Sequence, residues 1–170
     1  MHNKILVLDI DGTLTNSEKS ISPQTKKGLM TIQERGHTIV LASGRPSFGM
    51  MRYAEELSLE KYGGYLLSFN GARIINCRTG DIVYQQTIPQ FILPKIYRFA
   101  KENDCGLITY CGDYVVSGTR TDEYIELEAR INNMPVREVD DFIHFIDFEV
   151  NKCLMTAPPE KAEKLTAMLQ

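Results

Sequence analysis

The sequence has few of the features that several classes of protein need. It carries no basic tract and a formal net charge of −3 over 170 residues. Because nucleic-acid binding normally needs a positive footprint, we expect no nucleic-acid partner. No apolar run approaches the roughly 18 residues of a membrane-spanning helix, and no signal peptide is evident, so we expect no membrane contact and a cytoplasmic protein.

Cysteine and histidine are also scarce. The three histidines do not pair with a cysteine in the pattern of a nucleophile and its base. The four cysteines share neither a metal-type spacing nor a disulfide framework, which predicts reduced thiols. The hydrophobic content of 43% is enough to fill a core, and the length suits one domain or two small ones. The composition agrees with an enzyme but selects no reaction.

Two carboxylates follow a short apolar strand near the start of the chain. Residues 5–8 are an unbroken aliphatic run, which predicts a parallel strand buried on both faces, and Gly12 marks a turn. Asp9 and Asp11 should therefore lie at the carboxyl edge of a sheet, where open α/β sheets bind ligands. A first carboxylate can attack phosphorus, and a second can protonate the leaving oxygen and later deprotonate water. The pair also suits Mg²⁺.

Two further strand ends are predicted at the same edge. Residues 38–42 read as a buried strand, which Ser43 and Gly44 follow at once, and a helix is predicted over residues 46–59. A hydroxyl and main-chain N–H groups at a helix N-terminus form an anion site, so we predict that Ser43 and Gly44 bind phosphate. The next strand ends at Asn70, which is predicted to reach the same pocket edge.

The order of elements predicts the α/β class. A helix that begins at the N-cap Ser22 and ends before Gly36 connects the first two strands, which gives a crossover unit of the doubly wound type. A β-hairpin is predicted over residues 73–84, and the pattern changes after residue 87. The remaining predicted elements are a helix to residue 103, strands over 106–110 and 114–117, a helix over 122–132, a strand over 152–156 and a helix over 158–170.

The segment Asp9-Ile10-Asp11-Gly12-Thr13-Leu14 resembles motif I of the haloacid dehalogenase (HAD) superfamily of phosphohydrolases, and Ser43-Gly44-Arg45 follows as motif II does. The strand, Asn-Gly-Ala and hairpin after residue 65 resemble the Cof-type branch. The resemblance implies a partial doubly wound, Rossmann-like core over residues 1–86 and an α/β cap over residues 87–170. It implies that Asp9 is the nucleophile and Asp11 the general acid/base.

The resemblance also implies a metal and a phosphate site. Mg²⁺ would be held by Asp9, by the Asp11 position through its main-chain carbonyl, and by an acidic residue of a later motif. Gly12, Ser43, Gly44 and Asn70 are the predicted phosphate-binding positions. Substrate choice would come from the cap, and Arg45, Arg120 and Asp113 are the candidate substrate residues.

Two elements of the family are not found in this sequence. One is a lysine that precedes a helix, and the other is an acidic motif of the type Gly-Asp-x-x-x-Asp. Gly112-Asp113 starts such a motif, but a strand pattern without a second acid follows. We therefore expect a fragment of a longer enzyme, or a core edge completed by a partner chain or an oligomer, and little activity from the chain alone.

The expected function is a Mg²⁺-dependent phosphatase of small phosphorylated metabolites that works through an aspartyl phosphate on Asp9. Two alternatives stay open: a non-catalytic interaction protein derived from such a phosphatase, and a phosphomutase of the same superfamily. A receiver-type signalling module is disfavoured, because the strand over residues 38–42 ends without a carboxylate.

Overall fold

The protein is described here by a computed structural model that covers residues 3–168. The chain divides into two compact units, Met1–Gln86 (unit 1) and Thr87–Gln170 (unit 2). Both units combine helices with a sheet, which confirms the α/β class. The assignment of unit 1 as a core and unit 2 as a cap stays a prediction.

Unit 1 is built on a five-stranded sheet in the order β1-β2-β3-β4-β5. The first three strands are parallel, and the last two form the predicted antiparallel hairpin. In this register Asp9 pairs with Ala42, and Ala42 pairs with Leu67, so three strand ends lie side by side. The strands are β1 (Ile5–Asp9), β2 (Thr38–Ala42), β3 (Tyr65–Ser68), β4 (Arg73–Asn76) and β5 (Ile82–Gln85), with a 3₁₀ turn at Phe69–Gly71.

The helices of unit 1 are α1 (Pro23–Glu34), α2 (Ser47–Glu56) and α3 (Leu59–Tyr62). The prediction for α1 is confirmed, since the Ser22 side chain caps it by accepting from the Thr25 N–H. The prediction of one helix over residues 46–59 is wrong, because Ser58 has a left-handed φ of 53° and separates α2 from α3. This break lets Leu57 and Leu59 both lie fully buried on its two sides.

Strand β1 is not buried on both faces, and that prediction is wrong. Ile5 is 70% exposed and Val7 56% exposed, whereas Ile39 and Leu41 of β2 are fully buried. The physical reason is its position in the sheet: among the described residues β1 pairs only with β2, so its outer edge has no neighbouring strand. An unbroken apolar run in the sequence predicts a strand, but it does not predict how many other strands pair with it.

Unit 2 contains a four-stranded sheet in the order β8-β7-β6-β9, with β7 and β8 parallel and the other pairs antiparallel. Its core includes Leu107, Val116 and Phe142, all fully buried. The strands are β6 (Gly106–Cys111), β7 (Tyr114–Ser117), β8 (Val136–Glu138) and β9 (Leu154–Thr156). The helices are α4 (Leu93–Glu102), preceded by a 3₁₀ turn at Gln90–Ile92, α5 (Glu123–Asn132), α6 (Phe142–Phe145) and α7 (Pro159–Met168).

Most elements of unit 2 match the sequence prediction. The Asp122 side chain caps α5, as the predicted start of that helix implies. The prediction missed β8 and α6, because three and four residues are too few to show a period. The end of the last predicted helix, at residues 169–170, lies outside the described residues. No helix within residues 3–168 is long and apolar enough to span a membrane.

The exposure of β1 makes a testable prediction about stability. We expect Ile5→Ala to lower the free energy of unfolding by less than about 1 kcal/mol, since surface substitutions cost little. The matched change Ile39→Ala in β2 removes a fully buried side chain and should cost about 2–5 kcal/mol. Urea denaturation of both variants measures the difference. An equal loss at the two positions would show that β1 is covered in solution by another strand.

Candidate active site

The site begins at the turn that follows β1. The N–H groups of Leu14 and Thr15 donate to the carbonyls of Asp9 and Ile10, each at 3.0 Å. Ile10 is fully buried, whereas the aspartates on either side of it are exposed, so both carboxylates lie at the sheet edge. Gly12 takes a φ of +86° in this turn, which an L side chain rarely adopts. The predicted strand-turn arrangement is therefore present.

Two cations bind the carboxylate of Asp11. Arg45 donates from Nε to Oδ2 at 2.8 Å and from Nη2 to Oδ1 at 2.7 Å, which is the bidentate geometry of a strong ion pair. Lys19 Nζ lies 2.7 Å from Oδ1. The Arg45 hydrogen bonds hold the pKa of Asp11 well below its usual range; partial burial opposes this, and Lys19 adds to it. Asp11 is therefore a charged carboxylate at neutral pH.

This ion pair changes the role that the sequence assigned to Arg45. Arg45 was a candidate substrate residue, but its side chain is only 5% exposed and its guanidinium binds Asp11. A buried guanidinium needs an anionic partner, because an uncompensated charge inside a protein is strongly destabilising. Arg45 thus fixes Asp11 in this structure and does not offer an exposed cation to a ligand.

The carboxylate of Asp9 has a different environment. Asp9 is exposed, and among the described residues no side chain forms an ion pair or hydrogen bond with its carboxylate. Its main chain is fixed, because β1 pairs with β2 up to Asp9 itself and its carbonyl accepts from Leu14. A fixed backbone that presents an uncommitted carboxylate at a sheet edge is suited to nucleophilic attack.

The loops after β2 and β3 are joined by main-chain hydrogen bonds. The Ser43 N–H donates to Leu67, and the Asn70 N–H donates to the Ser43 carbonyl at 3.1 Å. A Cβ at Gly44 would lie 2.5 Å from Asn70 Oδ1, so a larger residue there would have to displace the Asn70 side chain. The structure therefore brings together Ser43, Gly44 and Asn70, next to the end of β1.

The structure gives the position of Ser43 relative to α2, and its role in binding phosphate stays a prediction. The predicted helix start at residue 46 lies one residue before the observed one, since α2 starts at Ser47 and its N-cap is Pro46. The Ser43 hydroxyl accepts from the Arg45 N–H at 3.3 Å inside the loop. Ser43 therefore lies in the loop between β2 and α2, before the N-cap of the helix.

Lys19 was not predicted as a site residue. It belongs to the polar loop between β1 and α1, and its φ of 59° is left-handed. Its main-chain carbonyl accepts from the hydroxyl of the buried Tyr53 at 3.2 Å. The sequence signal is a lysine in the loop after the predicted first strand, and such lysines are common on surfaces. The contact with Asp11 emerges only in three dimensions.

The two candidate substrate residues of unit 2 do not come together. Asp113 is exposed in the turn between β6 and β7, and Arg120 follows the other end of β7. Arg120 lines a cavity of about 630 Å³, together with Lys101, Asp122 and Lys161. Asp122 already accepts from Ile125 N and Thr156 Oγ1, at 2.8 Å each. Arg120 therefore borders a space that a ligand can enter.

The fit of the described residues to Mg²⁺ is partial. The Asp9 carboxylate and the Asp11 main-chain carbonyl are oxygen donors of the type that Mg²⁺ prefers. The Asp11 carboxylate, however, is occupied by two cations. Within residues 3–168 no three side chains of His, Cys, Asp or Glu are grouped so that they can hold a metal. At this edge of the sheet, the described residues thus supply one uncommitted carboxylate, that of Asp9.

The cysteines are not part of this site. All four are free. Burial raises the pKa of Cys77 and of Cys153 to about 11. Because the thiolate is the reactive form of cysteine, neither is a nucleophile at neutral pH.

Comparison with known proteins identifies the family. Residues 6–170 match the family of haloacid dehalogenase-like hydrolases. The chain belongs to this family. A solved haloacid dehalogenase-like hydrolase from Bacteroides thetaiotaomicron is 39% identical with a TM-score of 0.93, and the match covers 99% of this chain and 63% of that one. The resemblance read from the motifs around Asp9 and Ser43 is therefore confirmed.

Curated relatives give the same result. YxeH of Bacillus subtilis is 26% identical over 176 aligned positions, which cover 96% of this chain and 65% of YxeH. Phosphatase YwpJ of the same organism is 32% identical over 85 residues, which cover 50% of this chain and 28% of YwpJ. The chain thus spans just under two thirds of YxeH and of the solved Bacteroides relative.

The Asp11–Arg45 ion pair predicts a pH-dependent stability. The pKa of Asp11 in the folded state lies below its unfolded value of about 3.9, so the pair's contribution is complete above that pH and is lost as pH falls through the folded pKa. We expect Arg45→Met to cost about 1–3 kcal/mol at pH 7. Urea denaturation between pH 2 and 7 should show a constant gap to wild type in the free energy of unfolding down to about pH 4, and a gap that narrows below that pH.

The control for this experiment is Arg35→Met, which removes an exposed arginine at the end of α1. This variant should lose little free energy of unfolding, and the loss should not narrow at acid pH. A constant gap between Arg45→Met and wild type across the whole range would contradict the ion pair as the source of stability.

Proposed function

We propose that this chain carries the nucleophile and acid/base residues of a phosphatase that acts on small phosphorylated metabolites. The observation that supports this most is the contrast between two neighbouring carboxylates. Asp9 is uncommitted, whereas Asp11 is held by Arg45 and Lys19. Carboxylates whose environments differ in this way commonly divide the roles of nucleophile and acid/base. The name of the relative YwpJ, a phosphatase, agrees with this proposal.

In the proposed first step, an oxygen of Asp9 attacks phosphorus and the bond between phosphorus and the ester oxygen breaks. The product on the enzyme is an aspartyl phosphate, and the leaving oxygen takes a proton from Asp11. Asp11 is charged in the resting site, so it must first gain a proton. An incoming phosphate favours this, because a nearby negative charge raises the pKa of a carboxyl.

In the second step, water attacks the phosphorus of the aspartyl phosphate. Asp11, now ionised, accepts the proton of this water, and inorganic phosphate leaves with the carboxylate of Asp9 restored. Ser43, Gly44, Asn70 and Gly12 are the proposed contacts to the phosphoryl oxygens. Their support is the shared sheet edge and the Ser43–Asn70 hydrogen bond.

Mg²⁺ is the proposed cofactor, held by the Asp9 carboxylate and the Asp11 main-chain carbonyl. When bound, it would offset negative charge between the nucleophile and the phosphoryl group. A single uncommitted carboxylate gives weak binding, because Mg²⁺ gives up its water reluctantly. We therefore propose that the chain alone turns over slowly. Free thiols and a small-metabolite substrate favour the cytoplasm as its location.

A non-catalytic interaction protein is the second candidate. It is favoured by the partial metal site and by the exposed edge of β1, where Ile5 and Val7 lie open to solvent. Unpaired apolar edges readily pair with another strand. A partner chain or an oligomer would then cover β1. A phosphomutase uses the same nucleophile, and transfer of phosphate to a second sugar instead of water would distinguish it.

Hydrolysis of p-nitrophenyl phosphate in the presence of Mg²⁺ tests the proposed reaction. We expect slow turnover by the chain, with a kcat well below about 1 s⁻¹, which is the low end of typical enzyme kcat values. Asp9→Asn should remove it entirely, and Asp11→Asn should lower it by about 10²-fold or more. The matched control Asp81→Asn changes an exposed aspartate in the hairpin turn and should have no effect. An Asp9→Asn rate equal to wild type would refute the phosphatase proposal.

A further inference from the structure

Lys19 is fixed by its own turn on the candidate site. Asn16 N donates to the Ser20 carbonyl, and Lys19 N donates to the Asn16 carbonyl, both at 3.0 Å. The Asn16 side chain closes the turn by accepting from the N–H groups of Glu18 and Ser20 at 3.0 Å each. The left-handed φ of Lys19 is an unfavourable conformation for a lysine. Its surroundings therefore hold the residue in place against local strain.

The core of unit 1 anchors the same turn. The Tyr53 hydroxyl donates to the Lys19 carbonyl, and Tyr53 is only 2% exposed. The main chain of Lys19 is thus tied to a buried side chain of α2, and its ammonium reaches Oδ1 of Asp11 at 2.7 Å. A surface lysine usually has neither constraint, because its long side chain loses entropy when it is held.

The charges around Asp11 leave a positive excess. Arg45 alone balances the carboxylate of Asp11 by its bidentate contact. Lys19 adds a second cation to the same carboxylate, so the three side chains together are positive. The carboxylate of Asp9, two residues from Asp11, offsets this excess. Without Lys19, an incoming phosphate would meet uncompensated negative charge, which repels it.

Lys19 also has donors to spare. An ammonium group carries three N–H donors, and the hydrogen bond to Asp11 Oδ1 uses one of them. The Lys19 side chain is 44% exposed, whereas that of Arg45 is 5% exposed. Of the two cations on Asp11, Lys19 is therefore the one that a solvent-borne anion can reach.

We propose that Lys19 is a phosphate-binding residue, whose ammonium binds a non-bridging oxygen of the phosphoryl group while it remains beside Asp11. This inference rests on the proposed phosphatase function and extends it to a residue outside the two motifs. In this role Lys19 offsets negative charge of the phosphoryl group, which the residues of the two motifs leave uncompensated.

Titration calorimetry of the full chain with inorganic phosphate tests the inference. Lys19→Met keeps most of the side-chain volume and removes the charge, and we expect about tenfold weaker binding. Lys19→Arg should restore the affinity to within about threefold, because the positive charge returns. The dependence of affinity on salt should also become shallower in Lys19→Met, which a loss of structure alone would not produce.

Lys26→Met is the matched control. Lys26 and its partner Glu56 are 44% and 36% exposed, the same values as Lys19 and Asp11, and Lys26 lies in α1. Its removal changes the net charge equally, so long-range effects cancel, and its phosphate affinity should equal that of wild type. Thermal melting monitored by circular dichroism verifies that all variants are folded.

The outcomes separate this inference from the function on which it rests. Equal phosphate affinities of Lys19→Met and Lys26→Met would overturn the role of Lys19 and leave the phosphatase proposal intact. A tenfold loss in Lys19→Met, combined with hydrolysis that survives Asp9→Asn, would support the Lys19 site and refute the proposed reaction. No measurable binding of phosphate to the wild-type chain at tens of millimolar would overturn the inference.

Discussion

The ion pair between Arg45 and Asp11 connects the loops that make up the candidate site. The guanidinium of Arg45 binds the carboxylate of Asp11, which follows β1. The main-chain carbonyl of Arg45 accepts from the N–H of Phe69, which follows β3, at 2.9 Å. Its own position after β2 is set by the Ser43 hydroxyl. One buried arginine thereby fixes three strand ends relative to each other. Because a buried guanidinium is costly without its anion, the pair also selects the conformation of the turn that follows Asp9.

The same pair distinguishes two aspartates that look equivalent in the sequence. Asp11 is paired and its pKa is lowered, whereas Asp9 presents its carboxylate to solvent. A nucleophile needs accessible lone pairs, and an acid/base group needs a controlled proton affinity. The proposed reaction assigns these needs to the two residues. The resting site shows Asp11 in its charged form, so its protonation depends on what enters the site.

Local patterns predicted the parts of the fold that depend on local sequence. The aliphatic runs gave β1 and β2, and Ser22 gave the start of α1. The exposure of Ile5 and the break at Ser58 were not predictable in this way, since they depend on which elements pack nearby. The solved Bacteroides relative shares this fold over 63% of its length.

In the candidate site, too, some residues follow from the local sequence pattern and others only from the folded structure. Asp9, Asp11, Ser43 and Asn70 follow from the rule that parallel strands end at one edge of a sheet. The partners of Asp11 do not follow, because Arg45 is 34 residues away in sequence and Lys19 is eight residues away in a polar loop. Such contacts depend on the folded path of the chain. They decide how charge is distributed in the site. Arg45 belongs to the second motif, but neither motif specifies that it pairs with Asp11.

Chemical trapping of the covalent intermediate tests the central claim most directly. The chain is incubated with acetyl phosphate and Mg²⁺ and then treated with borohydride, which reduces an aspartyl phosphate to homoserine. Peptide mass spectrometry locates the modified residue. The account predicts homoserine at position 9 and none in the Asp9→Asn variant. Consumption of acetyl phosphate without modification at Asp9, or with modification at Asp11 instead, would contradict it.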